Sequence, residues 1–148
     1  MGAPLTLAVT DCNRRVRQFL RRELTAEGYL VEEVASEVGL WRVLSGQRPP
    51  ALVILDPEIS QGRAERLLVR LQTSHPELPM VIHSFASEES ASFPLGPWRV
   101  FVEKGGNSID RLKAVVAALL RHYPPPIPSR GGGVDDPVGD RRQEGGEG

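Results

Sequence analysis

One cysteine, Cys12, is all the sequence holds, so no internal disulfide can form and packing alone must hold the fold. The roughly 18 uninterrupted apolar residues of a membrane-crossing helix occur nowhere. The N-terminus also lacks the basic segment and long apolar run of a secretion signal. These absences favour a reducing, cytoplasmic location without membrane attachment. Charge of one sign is missing too, since 18 Lys and Arg stand against 19 Asp and Glu for a net charge of -1. That balance argues against a chain that binds nucleic acid by itself. No internal repeat, Gly-x-x-x-x-Gly-Lys-[Ser/Thr] loop, dinucleotide fingerprint after the first strand, or nucleophile elbow is found, so an enzyme with turnover is not expected.

What is present is one domain's worth of chain. The 148 residues are 40% hydrophobic, enough to bury a real core but not two. Residues 1–123 read as the folded unit. Residues 124–148 are almost wholly Pro, Gly and charge, with five acids against three arginines. They offer too little apolar surface to offset the entropy of ordering them, and read as a disordered tail or linker. Pro124-Pro125-Pro126 reads as a stiff spacer.

Within the unit, strand and helix patterns alternate. Leu5 to Val9 is a short apolar strand that ends at Thr10-Asp11-Cys12-Asn13, where polar groups can cap a helix over 14–27. That helix sets Val16, Phe19, Leu20 and Leu24 on one stripe and stops at Gly28. A strand over 29–34 follows, then a helix with Val38, Trp41, Val43 and Leu44 as its apolar stripe, closed by Gly46 and Pro49-Pro50. Ala51 to Leu55 is continuously apolar, as a central parallel strand covered on both faces should be, and ends abruptly at Asp56. A helix over 63–73, a strand over 79–83, a strand over 99–103 and a helix over 108–122 complete the order. Between Ser84 and Arg99, Pro94 and Pro97 leave room for only a turn or two, so the fourth helix should be short or absent. Right-handed crossovers would turn this alternation into an α/β fold with a mostly parallel sheet.

In such a sheet, reactive groups gather at the carboxyl ends of the strands. Four ends carry polar groups here: Asp11 with Cys12, then Asp56, Ser84 and Lys104. An aspartate can accept a phosphoryl group if a divalent cation offsets the charge of donor and acceptor while a lysine and a hydroxyl hold the phosphoryl oxygens. A cap for the next turn at Asp56 and an exposed strand-end lysine at Lys104 are the plainer readings, but matching strand ends together with Ser84 favour a site at both. The arginines at 14, 15, 17, 21 and 22 read as a solvated helix face. His83 should point to the opposite sheet face from Ser84 and read as a packed histidine. Cys12 reads as a small, partly buried residue rather than a redox thiol.

Over residues 5 to 122 the ordered set of segments resembles bacterial response-regulator receiver domains of the CheY-like superfamily. The resemblance runs through Thr10-Asp11-Cys12-Asn13, Val16-Arg17, Gly28-Tyr29, Pro50-Ala-Leu-Val-Ile-Leu-Asp56, Leu78-Pro79-Met-Val-Ile-His-Ser84 and Val100-Phe101-Val102-Glu103-Lys104. It implies a flavodoxin-like, doubly wound five-stranded parallel sheet of order 2-1-3-4-5. It further implies Asp56 as phosphoacceptor, with Ser84 and Lys104 on the phosphoryl group and Ser84 and Phe101 as switch residues. Mg²⁺ would lie near Asp11, Asp56 and Glu58. The partners implied are a histidine kinase or phosphotransfer protein, an effector protein, or both, in a phosphorelay.

Departures from the family pattern point to an atypical receiver. Cys12 stands where the direct Mg²⁺ ligand is expected, and a soft thiol is a poor substitute for oxygen on a hard cation. Pro57 removes a backbone N–H from the loop after Asp56. Glu58 could supply an oxygen or repel a phosphate, and Gly105 replaces the usual proline after the lysine. The alternative function is therefore a phosphorylation-independent pseudo-receiver that works by protein–protein interaction.

Overall fold

The computed structural model describes residues 3–122, so the tail expected over 124–148 lies outside the described residues. The elements run β1 (Thr6–Thr10), α1 (Arg14–Ala26), β2 (Leu30–Val34), α2 (Glu37–Leu44), β3 (Leu52–Leu55), a 3₁₀ turn (Pro57–Ser60), α3 (Ala64–Ser74), β4 (Met80–Ser84), α4 (Glu88–Ala91), β5 (Arg99–Glu103) and α5 (Ser108–His122). All five strands are parallel and lie in the order β2-β1-β3-β4-β5. This is the doubly wound sheet that the receiver resemblance implies, with a one-turn α4 where the prolines leave no room for more.

The period of two along each strand divides the core into two layers. Ala8, Val53, Leu55, Met80 and Ile82 face one side and pack with Leu40, Leu44, Leu67, Leu68 and Leu71 from α2 and α3. Leu7, Val9, Leu52, Ile54, Val81 and Val102 face the other and meet Leu20 and Leu24 of α1 and Leu112 and Val116 of α5. Buried on both faces, β3 has no polar residue until Asp56, for the reason read from its apolar run.

Local signals set the helix ends. Asn13 Oδ1 accepts from the amides of Arg15 and Val16 at 2.9 and 3.3 Å, capping α1. Gly28 takes a left-handed φ of 100° after its last turn, a conformation that a β-carbon disfavours.

Two expected stripes are corrected. In α2 the buried residues are Leu40 and Leu44, whereas Val38 is 66% exposed and Trp41 and Val43 are only partly covered. Ser36 caps the helix by accepting the Gly39 amide, and Leu40 and Leu44, one turn apart, take the inward face while Val38 points out. In α1, Phe19 is 39% exposed, because the residues the helix buries in the core layer are Leu20 and Leu24.

Candidate functional site

Parallel strands bring their carboxyl ends to one rim, and three of the four polar strand ends meet there. Asp11 follows β1, Asp56 follows β3, and Lys104 follows β5. The Lys104 ammonium lies between the two carboxylates, with Nζ 2.7 Å from Asp11 Oδ2 and 2.5 Å from Asp56 Oδ2. Ser84 is the last residue of β4, and its carbonyl accepts the Lys104 amide at 2.8 Å. No hydrogen bond ties its hydroxyl to another described residue.

Backbone contacts fix each carboxylate. Asp11 Oδ1 accepts the Asn13 amide at 2.8 Å. Asp56 Oδ1 accepts the Glu58 amide at 2.9 Å, so Asp56 also caps the 3₁₀ turn that starts at Pro57. The Asp56 amide donates to Thr10, to the carbonyl and to the hydroxyl, both at 3.2 Å. Asp11 and Asp56 are both buried, and a buried anion needs such partners to remain charged.

The cluster's electrostatics follow from that crowding. Burial pulls the Lys104 ammonium toward losing its proton, but the hydrogen bonds and charges of Asp11 and Asp56 outweigh it, and its pKa rises above the ordinary 10.5. The Cys12 thiol is pushed up by loss of solvent and then by the charges of Asp56, Asp11 and Glu58, against the opposing pull of Arg17. His83 is driven down to about 4 by burial and by the Lys104 charge, with Asp11 and Asp56 opposing. It is therefore neutral near pH 7, buried, with Nε2 3.4 Å from Ser108 Oγ.

The remaining expected residues make no side-chain hydrogen bond to either carboxylate. Cys12 is exposed rather than partly buried. The loop after β1 lifts it off the sheet, and its Sγ is 3.8 Å from the Glu58 carbonyl. Glu58 is exposed, and its carboxylate bonds to no described residue. Phe101 is half-buried against the α2/α3 core layer.

The donor set does not fit the hard cation that the receiver resemblance implies, as the thiol at Cys12 already foretells. Among the described residues no group of three or more His, Cys, Asp or Glu is arranged to hold a metal ion. Two of the four carboxylate oxygens face an ammonium and the other two accept amides, while the residue beside them is a thiol.

Three contributors escaped the reading by strand ends. Thr10, next to Asp11, orients the Asp56 backbone through its hydroxyl. Arg17 donates to the carbonyls of Asp11 at 2.6 Å and Cys12 at 3.3 Å, so it belongs to the site's frame and not only to a solvated helix face. Phe85, 69% exposed, places its ring centroid 5.4 Å from Lys104 Nζ, within cation–π range. Its position directly after Ser84 was the only available signal. Phe85 and Lys104 border a cleft of about 350 Å³ that also takes in Phe19, His83 and Ser108.

No family model matches the sequence. Among curated proteins the chain is similar to the response regulator MprA of Mycobacterium sp. (strain KMS), 28% identical over 127 residues, covering 82% of this chain and 53% of that one. It thus spans about half the length of the curated relatives it matches. Among solved structures it is similar to the receiver domain of NtrX from Brucella abortus, at 26% identity and a TM-score of 0.66, covering 78% of this chain and 98% of that one. A response regulator receiver protein from Sinorhizobium medicae shares the fold at 24% identity and a TM-score of 0.65, over 80% and 95% of the two chains. With the sheet order and the relatives in agreement, the chain has the fold of response-regulator receiver domains and is similar to them in sequence.

Proposed function

We propose that the chain is the phosphoryl-accepting module of a two-component relay, with Asp56 as acceptor. The observation that carries this reading is the Lys104 ammonium shared between Asp11 and Asp56 at the strand-end rim. An oxygen of Asp56 would attack phosphorus of a phosphohistidine on a histidine kinase or phosphotransfer protein. The P–N bond breaks, its electron pair returns to the imidazole nitrogen, and an acyl phosphate forms on Asp56. Lys104 would turn from the carboxylates to the new phosphoryl oxygens, and the unengaged hydroxyl of Ser84 at the neighbouring strand end would donate to them. Ser84 and Phe101 would then carry the change to an effector protein. The role is signalling, not turnover.

The test is incubation with a small phosphodonor, acetyl phosphate or phosphoramidate, with and without Mg²⁺, read by intact mass. One added phosphoryl group on the wild type and none on Asp56→Ala is the expected result. Equal masses for the two under every condition overturn the reading.

Cys12 and Pro57 favour a second reading, a pseudo-receiver that binds its partner without phosphate. An anion at Asp56 meets a proline with no N–H and a thiol in place of an oxygen ligand. Under this reading Asp56→Asn binds the partner as the wild type does, and a loss of binding in that variant counts against it.

A further inference from the structure

At the opposite end of the sheet from Asp56 lies an open apolar groove of about 500 Å³. Its walls include Leu5, Pro50, Ala51, Leu78, Pro79 and Leu120, residues just before β1, β3 and β4 and near the end of α5. Leu5 is 46% exposed. Clefts of roughly 300–1,000 Å³ hold a small ligand or a few side chains, and one this apolar offers an occupant few hydrogen bonds.

We propose that this groove docks the chain's own segment 123–128. Two observations select that occupant. The first is position: Leu120 lines the groove, and α5 ends two residues later at His122. The described chain thus ends two residues past a groove-lining side chain, and six residues in polyproline geometry would span about 19 Å, enough to reach along the groove. The second is chemistry. The segment reads Tyr123-Pro124-Pro125-Pro126-Ile127-Pro128, so four of its six residues have no backbone N–H to satisfy. Only Tyr123 and Ile127 bring a backbone N–H, so the segment leaves few donors unpaired against a mostly apolar wall, and its restricted backbone has little entropy left to lose. Tyr123 and Ile127 supply the apolar side chains, whereas from Ser129 onward the sequence is mostly Gly and charge, with Val134 and Val138 as its only large apolar residues. The proposal does not depend on the phosphorylation of Asp56.

The test uses the full-length chain and two substitutions, Ile127→Asp within the segment and Val138→Asp beyond it. Methyl NMR is expected to show shifts at Leu5, Leu78 and Leu120 for Ile127→Asp and none for Val138→Asp. A fall in Tm of about 3 °C should accompany the first substitution only. Unchanged groove methyls in Ile127→Asp overturn the proposal. So do groove methyls in the wild type that move with protein concentration, because the occupant would then be a second copy of the chain.

Discussion

Lys104 and Asp11 are 93 positions apart in the chain, yet Nζ of one lies 2.7 Å from Oδ2 of the other. The same ammonium serves Asp56, so one cation balances two buried carboxylates. Removing it leaves both anions facing each other without compensation. Lys104→Met should lower stability by about 3 kcal/mol, whereas Asp11→Asn, which leaves one neutral pair, should stay within about 1 kcal/mol of the wild type. Urea unfolding at pH 7 measures both. Since the partners raise the lysine above 10.5, its contribution is fully present below that value. It is lost only as the pH climbs through the folded-state value.

His83 gives the opposite sign. Its folded-state pKa, near 4, lies below the ordinary 6.5, so between these values the unfolded chain binds the extra proton. Stability from this group is complete above pH 6.5 and falls as the pH drops toward 4, by up to about 3 kcal/mol. Subtracting the profile of His83→Asn from that of the wild type isolates the effect. A flat difference between pH 6.5 and 4 would contradict the buried, neutral imidazole.

Cys12 sets the metal response. Wild-type Tm should change little on adding Mg²⁺, while Cys12→Asp, with a third carboxylate at the rim, should be less stable without the ion and gain on its addition. Ligand linkage gives about 1.4 kcal/mol at ten times the dissociation constant. Differential scanning fluorimetry with and without Mg²⁺ measures the gap, and Ca²⁺ serves as a second hard cation.

The α2 correction is tested by a pair of truncations. Leu40→Ala should cost about 2–5 kcal/mol, because Leu40 is fully buried. Val38→Ala should fall within about 0.5 kcal/mol, as a change on an exposed face does. Denaturant midpoints of the two variants decide the matter.

These cases show where the sequence was legible. β3 could be read because a run buried on both faces must be apolar throughout, so its end marked Asp56 without ambiguity. The short α4 could be read because prolines act locally. The face of α2 could not, because an eight-residue helix with apolar residues on several sides has no single stripe. The choice there fell to packing against the sheet beneath. Exposure of Cys12 depends on how far a loop rises, which no periodicity encodes. Phe85 was missed because its contact with Lys104 crosses between two strand ends, and nothing within its own segment announces it.

Strand β5 is held at both ends by different means. At its entry Arg99 is buried and donates to the carbonyls of Leu78 at 3.1 Å and His75 at 2.6 Å, and to Gln72. Along its length it pairs residue for residue with β4, from Met80 opposite Arg99 to Ser84 opposite Glu103. A strand so fastened neither slides nor tilts cheaply, and the Lys104 backbone is a fixed post at its far end. Choice between the two carboxylates, or between them and an arriving anion, then belongs to one flexible four-carbon arm. The energy of that choice is set by which oxygens the arm can reach, with no toll on the sheet.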